Sequence, residues 1–301
     1  MKFVSMIVIA ATATATLSAQ TVSEDRPHLA RRGPPPPDAV LGETATLPIV
    51  FESGLPTIEA KIDGQAIRLG IDSGAAGIHL TATVAARLGL QAVGEGLAGD
   101  PSGANPVPMK IYRLEAAQFG GVTVKGVEAV ALAVEPVRRD GVDGVVSPNI
   151  FQNLVVAIDY PHACLVLHRG SLPSADGRTI FHYDGFAPTM PLEIEGRTQP
   201  AEIDTGNTRF GIVLPTAFVG GLHRRAKARE IGQGRTTSST VQMFATALDG
   251  SAHLAGVALD SSEAAWPAVT PIANVGSDGL RGLLVEIDVT NHRVRINRTP
   301  D

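Results

Sequence analysis

The feature that most restricts how this chain can fold is a duplication in register. Ile62-Asp63-Gly64 leads to Ile71-Asp72-Ser73-Gly74, and 132 residues further on Ile194-Glu195-Gly196 leads to Ile203-Asp204-Thr205-Gly206. In both copies an apolar strand meets an acidic-Gly turn, and a second strand then runs into an acidic residue, a hydroxyl residue and glycine. That is the pattern of a hairpin followed by a tight loop. The copies converge again at Ile158-Asp159 with Leu165 and Leu167, and 129 residues later at Ile287-Asp288 with Val294 and Ile296. Each is an apolar strand, an Asp-led turn and a strand of alternating apolar residues. Features matched at both ends of a unit of roughly 110 residues indicate that a whole lobe is repeated.

The lobes are expected to be β rather than helical. Gly 32 and Pro 21 are many for a helical bundle, and few apolar stretches keep helical spacing for long. The fold expected is all-β and bilobal, two similar barrels, closed or nearly closed, at residues 45–172 and 173–301 with a cleft between them. Short helices are expected after each tight loop. Thr81 would cap Ala82 to Leu88, stopped by Gly89, and Pro215 would open a helix through Leu222. The stretches Gly94 to Pro108 and Gly232 to Thr240 read as mobile.

Residues 1–19 have the layout of a secretory signal peptide: Lys2, the apolar run Phe3 to Ala10, then small residues to Ala19. The apolar part is too short to span a bilayer. An exported protein, periplasmic or secreted, is expected. Residues 20–44, with Arg31-Arg32 and Pro34 to Pro37, read as a Pro-rich linker or pro-segment. With 25 basic against 30 acidic side chains the net charge is -5, which argues against a nucleic-acid partner. The single cysteine, Cys164, excludes an intrachain disulfide and a multi-cysteine zinc site, and reads as a small core residue.

Asp72-Ser73-Gly74-Ala75 and Asp204-Thr205-Gly206-Asn207 are the candidate chemical sites. Glycine lets the backbone turn so that a buried aspartate faces a cleft. The hydroxyls of Ser73 and Thr205 can each brace the opposite lobe. Two carboxyl groups held within about 3 Å cannot both ionise cheaply, so the pair keeps one proton. One member is then a base and the other an acid, and a water between them can be activated against a peptide carbonyl. This chemistry needs no metal and no cofactor, and activity is expected on the acid side of neutral.

These motifs resemble those of the pepsin/retropepsin-type aspartic peptidases, in particular bacterial exported forms with two retropepsin-like units in one chain. The resemblance covers about residues 45 to 298. It rests on Leu69-Gly70-Ile71-Asp72-Ser73-Gly74-Ala75 with Ala86-Arg87-Leu88-Gly89-Leu90 behind it. It implies catalytic Asp72 and Asp204, and active loops supported by Ser73, Gly74, Ala75, Thr205, Gly206 and Asn207. It also implies substrate-covering flaps, with Gly96, Gly99, Gly103 and Gly234 as candidates. The substrate implied is a peptide or unfolded protein, and with both motifs in one chain a monomer suffices. An apolar-Gly step passing under the active loop is matched by Val275-Gly276, whereas the first lobe has Val146-Ser147. A second departure is Asn207. Its amide either donates to the outer oxygen of Asp204, lowering that group's pKa, or its bulk displaces the loop. A catalytically inactive peptide-binding module of the cell envelope is the alternative.

Other signals are set aside. Gly94 to Gly99 spells G-x-G-x-x-G but lacks the strand and helix of a dinucleotide site. No G-x-S-x-G surrounds Ser73. Eight histidines have no metal-ligand spacing, and most read as surface or satisfied residues. Arg224 to Arg229 reads as a solvated basic face. Aromatic content of 4%, with Trp266 the one tryptophan, does not suit a sugar-cleaving carboxylate pair.

Overall fold

The computed structural model describes residues 35–99, 106–132, 141–223, 227–235, 240–267 and 272–298. The signal peptide, the linker up to residue 34, Gly103 and the start of the basic run at Arg224 lie outside these residues. The regular structure of the described chain is nearly all β, in two nine-stranded sheets and one six-stranded sheet. None of its helices is long and apolar enough to cross a membrane.

The duplicated hairpins form as their turns dictate. Leu55–Ile62 and Gln65–Ile71 are joined by Asp63 and Gly64, both at positive φ, and Thr189–Ile194 and Arg197–Asp204 by Glu195 and Gly196, likewise positive. Two successive left-handed residues give a turn whose twist matches the strands it joins. Alternate residues of each hairpin are fully buried, among them Ile62, Leu69, Ala201 and Ile203.

In the first lobe the pairing closes into a ring. Val122–Leu132, Ile78–Leu80, Gly144–Val146, Gln65–Ile71, Leu55–Ile62 and Val107–Phe119 follow one another, and Val107–Phe119 pairs back to Val122–Leu132. Gly144–Val146 lies parallel to Gln65–Ile71, and the Val146 carbonyl accepts from the Asp72 amide at 2.9 Å. The short strand thus supports the loop that Asp72 begins. The second lobe repeats this with Ala273–Gly276 parallel to Arg197–Asp204. Its long hairpin is interrupted, however, with Thr240–Ala247 and Ala252–Leu254 on one arm and Val257–Ala258 and Glu263–Pro267 on the other. One barrel is closed and the other is broken along one seam.

The lobes share the third sheet. The hairpin Leu154–Asp159/Cys164–Arg169 and its counterpart Leu283–Asp288/Arg293–Arg298 meet along Leu154–Asp159 and Leu283–Asp288, antiparallel, with Ile158 opposite Val285 and Val156 opposite Ile287. All four of these side chains are buried. Thr44–Pro48 and Ile180–His182 flank these four strands and bring the sheet to six.

Several expectations change. Ala39–Leu41, placed in the linker, is a strand on the edge of Val122–Leu132, and Asp38 pairs with Arg113. A sheet edge satisfies this backbone without the apolar surface that the segment lacks. Residues 100–105 and 236–239 of the stretches read as mobile lie outside the described residues, and the described parts are mostly strand: Ala92–Ala98 pairs with Val107–Tyr112, and Arg229–Arg235 with Thr240–Ala245. The flap candidates Gly96 and Gly234 sit inside these ladders, and Gly99 follows the first strand as a buried residue. Both ladder glycines face a cross-strand methionine: a Cβ at Gly96 would lie 2.8 Å from Met109 Cε and one at Gly234 3.1 Å from Met243 Cγ. Thr81 caps Ala82–Arg87 by accepting from the Val84 amide. The helix after Pro215 is shorter than expected, Thr216–Val219, followed by turns to Leu222. Cys164 is half-buried rather than core, because it opens its strand beside a turn.

Candidate active site

The two loops meet between the lobes. Asp72 and Asp204 are 0% and 1% exposed, and each carboxyl group packs against the glycine of the other motif. A Cβ at Gly206 would lie 2.4 Å from Asp72 Oδ2, and one at Gly74 2.8 Å from Asp204 Oδ1. Only glycine leaves room for the facing carboxylate at either place.

Ser73 and Thr205 tie the loops together. The Ser73 amide donates to Thr205 Oγ1 at 3.0 Å, and the Thr205 amide donates to Ser73 Oγ at 3.1 Å. Each hydroxyl then donates across the lobe boundary, Ser73 to the Ile203 carbonyl at 2.6 Å and Thr205 to the Ile71 carbonyl at 2.7 Å. The carbonyls that accept belong to the residues just before the aspartates. Four bonds, all buried, therefore fix the two carboxylates relative to each other.

The inner oxygens are held alike. Gly74 N–H donates to Asp72 Oδ1 and Gly206 N–H to Asp204 Oδ1, both at 3.0 Å. The outer oxygens are not. Asp204 Oδ2 accepts from Asn274 Nδ2 at 2.6 Å, whereas Asp72 Oδ2, buried, has no protein donor among the described residues. Burial raises both carboxyls above the ordinary value. The charge of Asp204 pushes Asp72 further up, to well above that value, while the Asn274 side chain and the Asn207 and Gly206 amides pull Asp204 back. The pair holds its proton into a pH range where a free aspartate has lost it.

Asn207 does not donate through its side chain to the outer oxygen of Asp204, though its backbone amide lowers that group's pKa. Its backbone stays in the loop, with its amide 3.2 Å from Asp204 Oδ1, and its side chain donates to Asn274 Oδ1 at 2.7 Å. The direct donor to the outer oxygen is Asn274, which the sequence reading missed. The signal was a lone polar residue in the otherwise small and apolar strand Ala273–Gly276, where the first lobe has Val145. Ser147 also finds a place: its hydroxyl accepts from the Asn149 amide at 3.3 Å and caps the turn Pro148–Ile150. At Gly276 no side chain fits, because a Cβ would lie 2.4 Å from the carbonyl oxygens of Asn207 and Phe210.

Two further buried groups border the loops. Ser277 donates to the Thr205 carbonyl at 2.7 Å and lies 2.9 Å from the Tyr160 hydroxyl, which reaches in from the shared sheet. His79 is buried, an exception among histidines of which most were expected at the surface or satisfied. Its Nε2 bonds the Ala76 carbonyl at 2.8 Å, its Nδ1 has no partner among the described residues, and burial lowers its pKa to about 4. No group of three or more metal-ligating side chains occurs among the described residues.

The flap candidates stand apart from this cluster of contacts. Gly96 and Gly234 belong to the hairpins that follow the helices, one in each lobe, and Gly99 lies at the end of the first hairpin's leading strand.

Residues 58–148 match the family model for aspartyl proteases. The matched stretch holds Asp72, Ser73 and Gly74 and ends just past Gly144–Val146. Asp204 lies beyond it, and its place follows from the duplication and from the contacts above. No curated protein sequence matches the chain.

Proposed function

We propose, from a first lobe of the aspartyl protease family and a second that completes its site, that this protein is an aspartic endopeptidase. It would act outside the cytoplasm as a monomer on peptides and unfolded proteins. The observation that carries the reading is the pair Asp72 and Asp204, buried, each against the other motif's glycine and bridged by Ser73 and Thr205.

The chemistry follows from one proton shared by two carboxyls. The ionised aspartate takes a proton from a water as its oxygen bonds to the peptide carbonyl carbon, and the protonated partner gives its proton to the carbonyl oxygen. The tetrahedral diol then collapses. The ionised member takes a proton from one diol hydroxyl as the C=O re-forms, the C–N bond breaks, and the leaving amine takes the proton of the other member. Water has been added across the bond and the dyad again holds one proton. An extended substrate would lie across the cleft and pair with the edges of the hairpins that carry Gly96 and Gly234, in the manner of an added strand.

The test is incubation of the purified chain with a mixed peptide library from pH 3 to 8, with and without a statine-type inhibitor. Cleavage that is strongest below neutral, blocked by the inhibitor and lost in both Asp72→Asn and Asp204→Asn is the expected result. Inhibitor binding without turnover at any pH would instead identify a peptide-binding module.

A further inference from the structure

The two halves of the dyad are held differently, and the difference runs along a directed chain of hydrogen bonds. The amides of Arg209 and Phe210 approach Asn207 Oδ1, both at 3.4 Å. With its oxygen turned to them, Asn207 presents Nδ2 to Asn274 Oδ1 at 2.7 Å, and Asn274 in turn presents Nδ2 to Asp204 Oδ2 at 2.6 Å. Asn207 and Asn274 are 0% and 6% exposed. Every link points a donor toward Asp204. A proton on Asp204 Oδ2 would meet an N–H instead of a lone pair, and a buried donor would be left unpaired. In the first lobe the corresponding positions are Ala75 and Val145, which offer no side-chain donor.

Resting on the peptidase reading above, we infer that Asn274, braced by Asn207, is the positioning residue that keeps Asp204 as the ionised member of the pair and leaves the shared proton on Asp72. Asp204 is then the base toward water, and Asp72 the acid toward the carbonyl. The titratable groups around Asp204 are Asp72 opposite, Glu202 two residues back on its own strand, and Tyr160 beyond Ser277, with the charge of Arg281 felt at Tyr160. Burial holds Tyr160 protonated, so it carries no charge to compete with the amide. Asn274 fixes the order of ionisation because it bonds the carboxylate directly.

The experiment is a pH titration of the full chain labelled with carbon-13 at the aspartate carboxyls, assigned by Asp72→Asn and Asp204→Asn. In the native protein Asp204 ionises first. In Asn274→Val, which copies the first lobe, the first ionisation rises by about one to two pH units and the acid limb of the peptidase pH profile moves with it, while KM holds. Asn207→Ala leaves Asn274 in place but unbraced, shifts the same step less, and serves should Asn274→Val fail to fold. Asp72 ionising first in the native protein, or both variants titrating as the native protein does, overturns the inference. A chain without peptidase activity that still shows the Asn274-dependent order defeats the peptidase reading and supports this one.

Discussion

Ser73 and Thr205 each accept a hydrogen bond from the other's amide and donate one to the carbonyl preceding the other's aspartate. The contact that orders the site is therefore also a contact between the lobes. Its partners are buried main-chain groups that find no water when a hydroxyl is removed. Thr205→Ala is expected to destabilise by about 1–3 kcal/mol, and Thr205→Ser by much less. The double variant Ser73→Ala/Thr205→Ala should lose clearly less than the sum of the two single losses, since all four bonds bridge one lobe boundary and parting the loops at one pair already weakens the other. Urea unfolding of the four proteins checks this, and strict additivity would contradict the reciprocal arrangement.

Asp72 carries a raised pKa, so the folded state binds a proton that the unfolded chain has released. Its contribution to stability is full below the ordinary aspartate value and is lost as pH rises through the folded value. Asp72→Asn removes that loss. The variant is expected to be inactive on an unstructured protein yet to melt higher than the native chain at pH 7, with the gain shrinking toward pH 4. Each unit of pKa elevation corresponds to about 1.4 kcal/mol. Equal melting temperatures at pH 7 would mean that Asp72 is not held protonated.

His79 works in the opposite direction. Burial lowers its pKa from 6.5 to about 4, so the unfolded chain binds more protons in that window. Stability from keeping the ring neutral is fully present above pH 6.5, is lost as pH falls, and levels off below about 4; the span is of order 3 kcal/mol. His79→Gln keeps an amide donor for the Ala76 carbonyl and removes the titration. Melting curves from pH 4 to 7 should be flatter for the variant, and parallel curves would refute the assignment.

The apolar-Gly step differs between the lobes for steric reasons that substitution can separate. Gly276→Ala places a Cβ on two carbonyl oxygens of the loop it supports and is expected to cost about 3 kcal/mol or more, or to prevent folding. Ser147→Gly removes only a cap and is expected to cost roughly a few tenths of a kcal/mol. Expression level and thermal melting distinguish the two, and a tolerated Gly276→Ala would show that the loop moves freely.

Much of this was legible because the signals are local. Asp63-Gly64 and Glu195-Gly196 fix hairpins by their own backbone preference, and the pair of motifs points to one site because glycine, hydroxyl and carboxylate each have a separate job there. Asn274 was not legible, because its partner lies 70 residues away and nothing next to it in the chain requires an amide. The pairing of Ile158 with Val285 was hidden for a related reason: alternation shows that a strand has a buried face but not which strand lies beside it. Gly96 and Gly234 were read as slack because glycine also serves mobile segments, and only the fold shows that each faces a cross-strand methionine.

The shared sheet joins two copies that no longer have to be the same. In an assembly of identical chains, any residue that favours one carboxylate acts equally on its twin, and the preference cancels. Here each copy is encoded separately while Leu154–Asp159 and Leu283–Asp288 keep them in register. Two copies in one chain permit a division of labour that symmetry forbids, with Val145 on one side and Asn274 on the other.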